Sequence, residues 1–488
     1  MRDTKTSDGA HEIMLANGRK PKVVSKEVKT QEEYEALQNF LRSISSTATL
    51  PPYVKGESYS SCRGVFNQCL ITCAVLILAA GAGHPIGFSA VALPQLRTEN
   101  SSLRIDDEMG SWIASIHSAA TPLGSMLSGP IMEAVGRRRT LQLSTLPLIV
   151  YLGEISEPRL RGLLNGTPFV AYSLGVLYVY ALGGSLSWRW VAFLSIVLPS
   201  FAFAALCFSP ESPTWLVRRG RFHDAMAAMA RLRGDHDTAQ RELHELISAR
   251  EKEKARGEEN IHFFATVRRP SVLKPLILIN AFNMLQILSG SYIVIFYAVD
   301  IVKDAGGSLS PHTAANASAY VRLGVTMAAC VLLLKVTRRS LVMVSGIGTA
   351  VCALSLAFLL SDGPGTGVTP PILILGYVAF NTLGFFPLPG LMIGELLPTK
   401  VRGLCGGYIF CLFNTLLFGL TKLYPIMKNS IGMSGVFGLF GAASSIATVV
   451  IFLLLPETKG KSLIQIEQYY QKSNILWLTR KKAVTQNV

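Results

Sequence analysis

The chain has 488 residues, half of them hydrophobic and only 16% charged, and its mean hydropathy is positive. That balance excludes an ordinary soluble globular protein and points to a polytopic membrane protein. The net charge of +15 does not indicate nucleic acid, because the basic residues sit in short turns between apolar runs and in one central segment, where positive-inside orientation accounts for them.

Roughly the first 60 residues are polar, with no apolar run after the initiator. They read as a cytosolic tail, residues 1–64, and not as a cleaved signal peptide. The first apolar run, Val65 to Leu96, carries Gly81, Gly83, Pro85 and Gly87 in its outer half, an interruption of the kind that lets a transporter helix open its backbone toward a cavity. The acidic loop that follows holds Asp106, Asp107, Glu108 and the sequon at Asn100, so it belongs outside the cell. Ser111 to Ile131 returns the chain to the basic turn Glu133 to Arg139. Leu163 to Leu182 and Ser187 to Phe208 complete the first half. A hydrophilic insertion, Val217 to about Leu273, places Met226, Met229 and Leu232, then Leu243, Leu246 and Ile247, at helical intervals, which predicts short amphipathic cytosolic helices. The second half supplies runs at Leu276 to Val302, Ala317 to Leu334, Leu341 to Leu360, Pro370 to Gly394, Leu404 to Met427 and Val436 to Leu455, with an outward-facing sequon at Asn316.

The two halves share one plan. Gly153 to Gly162 and Gly394 to Gly403 both read G-E-[IL]-x-x-P-x-x-R-G, placing Glu154 with Arg161 and Glu395 with Arg402 at the end of an apolar run. Upstream, Gly136-Arg137-Arg138-Arg139 matches Thr337-Arg338-Arg339; downstream, Pro210-Glu211-Ser212-Pro213 matches Pro456-Glu457-Thr458-Lys459. Three motifs repeated in the same order are the signature of parallel internal repeats in a transporter.

These motifs, with Gln286, Leu288-Ser289-Gly290 and Phe296-Tyr297, resemble the sugar porter family of the major facilitator superfamily, most closely its arthropod branch of facilitated trehalose transporter-like proteins. The resemblance covers about Val65 to Leu463. It implies an all-α membrane protein with the major facilitator fold, two pseudo-repeated helix bundles around a midplane sugar site, and alternating access by rocking of the bundles. It also implies a cytosolic conformational latch, which here falls on Glu133, Arg137, Arg138, Glu154, Arg161, Glu211, Arg338, Arg339, Glu395, Arg402 and Glu457. For the sugar site the resemblance implies Gln286, with Tyr292, Asn381, Thr382 and Asn414 as further candidates, each of which has an interhelical hydrogen bond as its alternative use. Ile287 replaces a second amide of the family pattern, and Pro387-Leu388-Pro389-Gly390 lacks the aromatic platform expected in that helix. Thr337 stands where the first basic turn has Gly136. Proton-driven relatives carry an Asp in the first helix; Val65 to Leu96 contains no Asp or Glu, and His84 there reads as structural, so passive facilitation is preferred to symport.

The expected domains are the tail 1–64, an N-terminal bundle 65–210, a cytosolic helical linker 211–273, a C-terminal six-helix bundle 274–456 and a cytosolic tail 457–488. The N-terminal bundle looks short. Arg338 to Glu395 spans 57 residues, Arg138 to Glu154 only 16, a deficit of 41, or about one helical hairpin at roughly 20 residues per crossing. The sequence therefore predicts about ten full spans instead of twelve, with the junction near Val150 and Tyr151 and impaired transport. The expected activity is facilitative transport of trehalose or a hexose across the plasma membrane. A non-transporting sugar sensor or accessory subunit, or a porter of another small polar solute, remains as an alternative. The expected partners are the sugar and the lipid bilayer, and no nucleic acid. The eight cysteines have no metal-like spacing, and no Gly-rich phosphate cradle, metal cluster or nucleophile triad is present, so neither an enzyme nor a cofactor or metal is expected.

Overall fold

The computed structural model describes residues 62–97, 105–143, 167–255, 267–306, 310–398, 401–458 and 463–471. The first copy of the acid/base motif, with Glu154 and Arg161, the junction near 150 and the sequon at Asn100 lie outside them. The described residues are almost entirely helical. In the first half they form α1 (Cys62–Leu96), α2 (Asp107–Val135), α3 (Arg137–Leu143), α4 (Thr167–Gly183) and α5 (Trp188–Cys207). The linker forms α6 (Pro213–Arg218), α7 (Phe222–Arg233) and α8 (His236–Ala255). The second half forms α9 (Pro270–Leu288), α10 (Ile293–Phe296), α11 (Ala298–Ala305), α12 (Pro311–Lys335), α13 (Arg338–Leu359), α14 (Thr369–Leu383), α15 (Leu388–Leu396) and α16 (Arg402–Leu454), and α17 (Leu463–Gln471) follows.

Seven stretches are long and apolar enough to cross a bilayer: Gly64–Leu96, Trp188–Cys207, Pro270–Phe296, Pro311–Leu333, Arg338–Leu359, Thr369–Leu396 and Arg402–Leu454. The last breaks at Gly432 (φ 67°) and runs out and back, because Cys405 and Ile409 share a buried cluster with Ala447 and Ile451 while Leu417 and Tyr424 share another with Phe437 and Phe440. The α4 helix is apolar but shorter.

The glycines of α1 do not open its backbone, as the sequence suggested. The helix is continuous, and its glycines are points of close helix contact, Gly81 and Gly87 with the Pro199 and Tyr180 side chains and Gly83 with backbone. A β-carbon at Gly83 would meet the Tyr172 carbonyl at 2.4 Å, and one at Gly175 would meet the Ala80 carbonyl at 2.0 Å. Small residues on both sides let α1 and α4 pack main chain to main chain, the usual source of helix affinity where lipid removes the hydrophobic drive.

Two spans are broken instead. Between α9 and α10 the chain passes through Ser289 and Gly290, and Gly290 holds φ +79° with the Phe440 ring 2.3 Å from where a β-carbon would sit. Between α14 and α15 it passes through Gly384 to Pro387. The linker helices turn Phe222, Ala225, Ala228, Leu243 and Ile247 into a core of their own with Trp215, Leu216 and Val217. Asp235 caps the start of α8 by accepting from the Thr238 amide (3.0 Å) and hydroxyl (2.6 Å), and these bonds hold its carboxyl below the usual carboxylate range. That contribution is present above the ordinary carboxylate pKa and fades as pH falls through the lowered one. The linker is fixed to α1 by Asn67 and Gln68, whose amides donate to the Arg231 and Leu232 carbonyls at the end of α7 (2.8 and 3.0 Å).

Three membrane-depth cores result. One is shared by both halves at one end of the helices, the end of Arg97 and Asp300, joining Ile86, Ala90, Val176 and Tyr180 to Ile293–Val302 and Phe437. At the opposite end, toward the linker, each half has its own: Ile71, Val75, Leu78, Leu141, Ala202 and Leu206 in the first, Ile279, Phe282, Phe385, Met392 and Leu396 in the second. Gly290→Ala should cost about 2–5 kcal/mol, the combined penalty of a side chain at positive φ and an overpacked ring. The measurement is the thermal midpoint of the purified protein; adding Phe440→Leu should recover the packing share alone, and an unchanged midpoint for the single variant would contradict this account.

Candidate functional site

The two helix breaks free backbone groups at membrane depth, and short polar side chains take them up. Ser289 and Ser291 hydroxyls both donate to the Gln286 carbonyl (2.7 and 3.1 Å), and the Tyr377 hydroxyl donates to the Ser289 carbonyl. At the second break Ser345 accepts from the Phe385 amide (3.0 Å) and donates to the Phe380 carbonyl (2.6 Å). The motif Leu288-Ser289-Gly290 is thus a self-sealing break, which ends α9 just after Gln286.

Around these breaks lie the residues singled out from the sequence. Gln286 is buried. Asn381, buried, has neither side-chain atom bonded, and the Thr382 hydroxyl is likewise alone. Asn414 donates to the Phe410 carbonyl of its own helix (2.8 Å), a local bond that leaves its oxygen available. Tyr292 packs edge-on against Phe413 (5.4 Å between centroids). Buried amides without partners cost free energy unless something else bonds them, so a polar solute is the natural complement.

The aromatic surface that Pro387 to Gly390 lacks is supplied one residue earlier. Phe386 lies in the second break, with Phe169 at 5.7 Å, Tyr172 at 5.5 Å and Tyr292 at 6.3 Å around it, so rings from both halves converge on it. Arg322 on α12 stands over the same ring, its guanidinium carbon 5.7 Å from the centroid. Sequence reasoning passed over both residues. The signal for Arg322 was present, since it is the lone charged side chain between Asp304 and Lys335 and an ionisable group inside a span marks function by default.

The two halves meet directly at the end away from the linker. Arg97 bridges Asp107 (3.0 Å) of the first half and Asp300 (2.8 Å) of the second. Ser89 donates to the Phe296 carbonyl (2.9 Å) and Tyr180 to the Ile295 carbonyl (2.6 Å). Lower down, Ser173 and Thr326 hydroxyls lie 3.1 Å apart. His84 is buried, stacked on Tyr178 at 5.2 Å with Nδ1 3.4 Å from the Ser195 carbonyl, and its Nε2 is buried without a hydrogen bond among the described residues.

The described acid/base residues at the linker end pair within their own halves. Glu133 binds Arg137 (3.0 Å). Glu211 accepts from the Arg138 amide (2.8 Å) at the start of α3, and a β-carbon at Gly136 (φ +107°) would sit 2.4 Å from that carboxylate. In the second half Glu457 accepts from the Arg338 and Arg339 amides (3.2 Å each) at the start of α13. Each acid neutralises unpaired N–H groups at a helix N-terminus, where the helix dipole favours negative charge. Thr337 does what Gly136 does by another route, capping α13 through its hydroxyl, which accepts from the Ser340 amide (3.3 Å). Glu395 takes Arg338 (3.0 Å) and the Thr458 hydroxyl, whereas Arg402 donates to the Leu397 carbonyl (3.0 Å). The Glu395 and Arg402 of one motif are therefore not partners in this conformation. Asn316 lies on the second turn of α12, half-buried. Among the described residues no three His, Cys, Asp or Glu side chains gather as a metal would require.

The family "Sugar (and other) transporter" matches residues 144–470. The chain belongs to that family. It is 27% identical over 495 residues to the facilitated trehalose transporter Tret1 of Culex quinquefasciatus, covering 90% of this chain and 95% of that one, and 28% identical over 445 residues to Tret1 of Polypedilum vanderplanki, covering 83% and 88%. Its fold is similar to that of the major facilitator superfamily proton:xylose symporter XylE bound to 6-bromo-6-deoxy-D-glucose, with TM-score 0.67, 18% identity and coverage of 84% of this chain and 100% of that one. A partially occluded inward-open form of XylE from E. coli matches with TM-score 0.66 at 16% identity, covering 82% and 100%. The protein is a multi-pass membrane protein whose relatives and fold are those of sugar transporters, not enzymes.

The ion-pair geometry makes a discriminating prediction. In double-mutant cycles read by thermal stability, Arg338→Gln and Glu395→Gln should couple by about 1 kcal/mol, whereas Arg402→Gln and Glu395→Gln should be additive within about 0.3 kcal/mol. Coupling confined to the second pair would contradict the geometry.

Proposed function

We propose that the chain is a facilitative transporter of trehalose or a hexose that works by alternating access and is captured here with its outer side closed. The observation that carries this is the arrangement of cores: one core bridges both halves at the outer side, while the cytosolic halves have separate ones. Gln286, Asn381 and Thr382, with Tyr292 and Asn414, bind the sugar hydroxyls, and Phe386 offers the ring face that a pyranose needs. Glu133, Arg137, Arg138, Glu211, Arg338, Arg339, Glu395, Arg402 and Glu457, with Glu154 and Arg161, form the cytosolic latch. In the closed-outer state each described acid is satisfied within its bundle, and opening outward brings the latch residues of the two bundles together. Flux is passive, since α1 carries no acid and His84 is packed. The protein sits in the plasma membrane with both termini cytosolic, and Asn100 and Asn316 are glycan sites on the outer side.

This chain is also a shortened form, lacking one helical hairpin of the N-terminal bundle, with about ten crossings. Two observations support that reading. The alignment with the Polypedilum relative runs for 445 residues but takes in 83% of this chain, about 405 residues, so about 40 positions there have no counterpart here. Among the described residues α2 lies along α16 of the second half far more than along any helix of its own half, as it would if its own neighbours were missing.

The test is uptake into proteoliposomes. The 488-residue chain should transport labelled trehalose and glucose poorly, and a version with about 41 residues restored between Leu143 and Thr167 should show saturable, proton-independent uptake. In that active background Gln286→Ala should raise the half-saturation concentration about fivefold, the worth of one hydrogen bond near 1 kcal/mol. Equal robust uptake by both versions would overturn the impairment, and an unchanged half-saturation would overturn the role of Gln286.

A further inference from the structure

Arg322 has the environment of a binding group and lacks that of a structural one. It is 4% exposed, near the middle of a span running Pro311–Leu333, and its Nη1 is buried without a hydrogen bond. Among the described residues no side-chain or main-chain acceptor bonds its guanidinium, and no carboxylate pairs with it. Its electrostatic neighbours are the hydroxyls of Tyr172, Tyr180, Tyr292 and Tyr377, all neutral. Two of those are committed elsewhere, Tyr180 to the Ile295 carbonyl and Tyr377 to the Ser289 carbonyl, while the Tyr172 hydroxyl is buried and unbonded. The Phe386 face at 5.7 Å offsets part of the desolvation of a guanidinium but supplies no acceptor.

An ion left in this condition is expensive, and the expense is not recovered by packing. Guanidinium geometry suits one class of complement above others, a planar or tetrahedral oxyanion that accepts two parallel N–H bonds. Neutral sugar hydroxyls match the amides of Gln286 and Asn381; they do not match an uncompensated cation. We propose that Arg322 is the anion-recognition group of the central site and that the sugar it selects carries an oxyanion, a carboxylate or a phosphate monoester. This rests on the sugar reading of the site and goes beyond it, since neutral trehalose and hexoses then bind as weaker relatives of the acidic sugar. The sugar ring lies against Phe386, its hydroxyls toward α9 and α14, and its acid group toward α12.

The experiment is equilibrium binding to the purified full-length chain, which does not depend on turnover. Trehalose, D-glucose, D-glucuronate, a glucose phosphate monoester and inorganic phosphate are each titrated by calorimetry. One of the two acidic sugars should bind at least about tenfold tighter than glucose, as a charge-assisted bidentate contact requires, and Arg322→Gln should bring that ratio to within about twofold of unity, with Arg322→Lys in between. Which acidic sugar wins identifies the oxyanion. Equal affinity for neutral and acidic sugars, or a preference that survives Arg322→Gln, overturns this inference while leaving sugar binding intact. Inorganic phosphate binding as tightly as the acidic sugar also overturns it, placing the anion off the sugar. Binding of none of the sugars overturns both readings. A structural role has its own signature, since Arg322→Met should raise the ligand-free thermal midpoint by removing an unpaired buried charge, and a fall of several degrees would sink the proposal.

Discussion

A chain in hydrocarbon has to bond every backbone N–H and C=O within itself, because no water is there to do so. Helices meet that demand automatically and breaks in helices do not. This protein breaks two of its spans at membrane depth, at Ser289–Gly290 and at Gly384 to Pro387, and much of the surrounding side-chain chemistry follows from the need to close those gaps. Ser289, Ser291, Tyr377 and Ser345 are occupied with freed main-chain groups. Gln286, Asn381, Thr382 and Arg322 are the polar residues nearby that are not so occupied. Separating the two sets distinguishes maintenance of the break from use of it.

The same constraint ties the break to the state of the molecule. Two carbonyls of α10, from Ile295 and Phe296, are bonded by Tyr180 and Ser89, which belong to the other bundle. The broken helix is therefore completed by the partner bundle in this conformation, which the proposed alternating access reads as closed at that end. Moving the bundles apart at that end removes Arg97 from Asp300 and leaves those carbonyls to water, which an opened vestibule admits. A transition of this kind exchanges hydrogen bonds and loses few outright, so its two ends differ by little free energy. At the opposite end Glu211 and Glu457 sit on helix N-termini of their own bundle, an arrangement that does not depend on the other bundle.

The repeated motifs, the spans of the second half and the amphipathic linker helices were legible in the sequence because each rests on a local signal: charge at the end of an apolar run, a glycine in a turn, a helical period. Pairing was less legible. The motif that holds Glu395 and Arg402 fixes their spacing along the chain but not the direction each side chain takes at a helix end, and Arg338, distant in sequence, reaches Glu395 first. The α1 glycines were misread because an open backbone and a close helix contact leave the same composition; only the Tyr172 and Ala80 carbonyls opposite decide between them. Phe386 was missed because the platform was sought at a fixed register, and Arg322 because an apolar run was judged by its average.

The first half poses a mechanical question that its motifs do not. Alternating access by rocking needs two bodies that each hold together more firmly than they hold each other. In the second half α13 packs against both α14 and α16, and α16 also against α9, while in the first α1 binds both α4 and α5. The α2 helix departs from this pattern: it lies along the first part of α16 more extensively than along α1, with Trp112 against Phe418 (6.0 Å), Lys422 bonded to Ser111 (2.8 Å) and the Ser125 carbonyl 3.1 Å from where a Gly407 β-carbon would be. A helix of one bundle that adheres mainly to the other opposes their relative motion, since sliding it breaks contacts that its own bundle does not replace. Packing α2 from the side of Leu123 and Leu127 would return it to its own bundle, and the length of chain between Leu143 and Thr167 decides whether anything is there to do so.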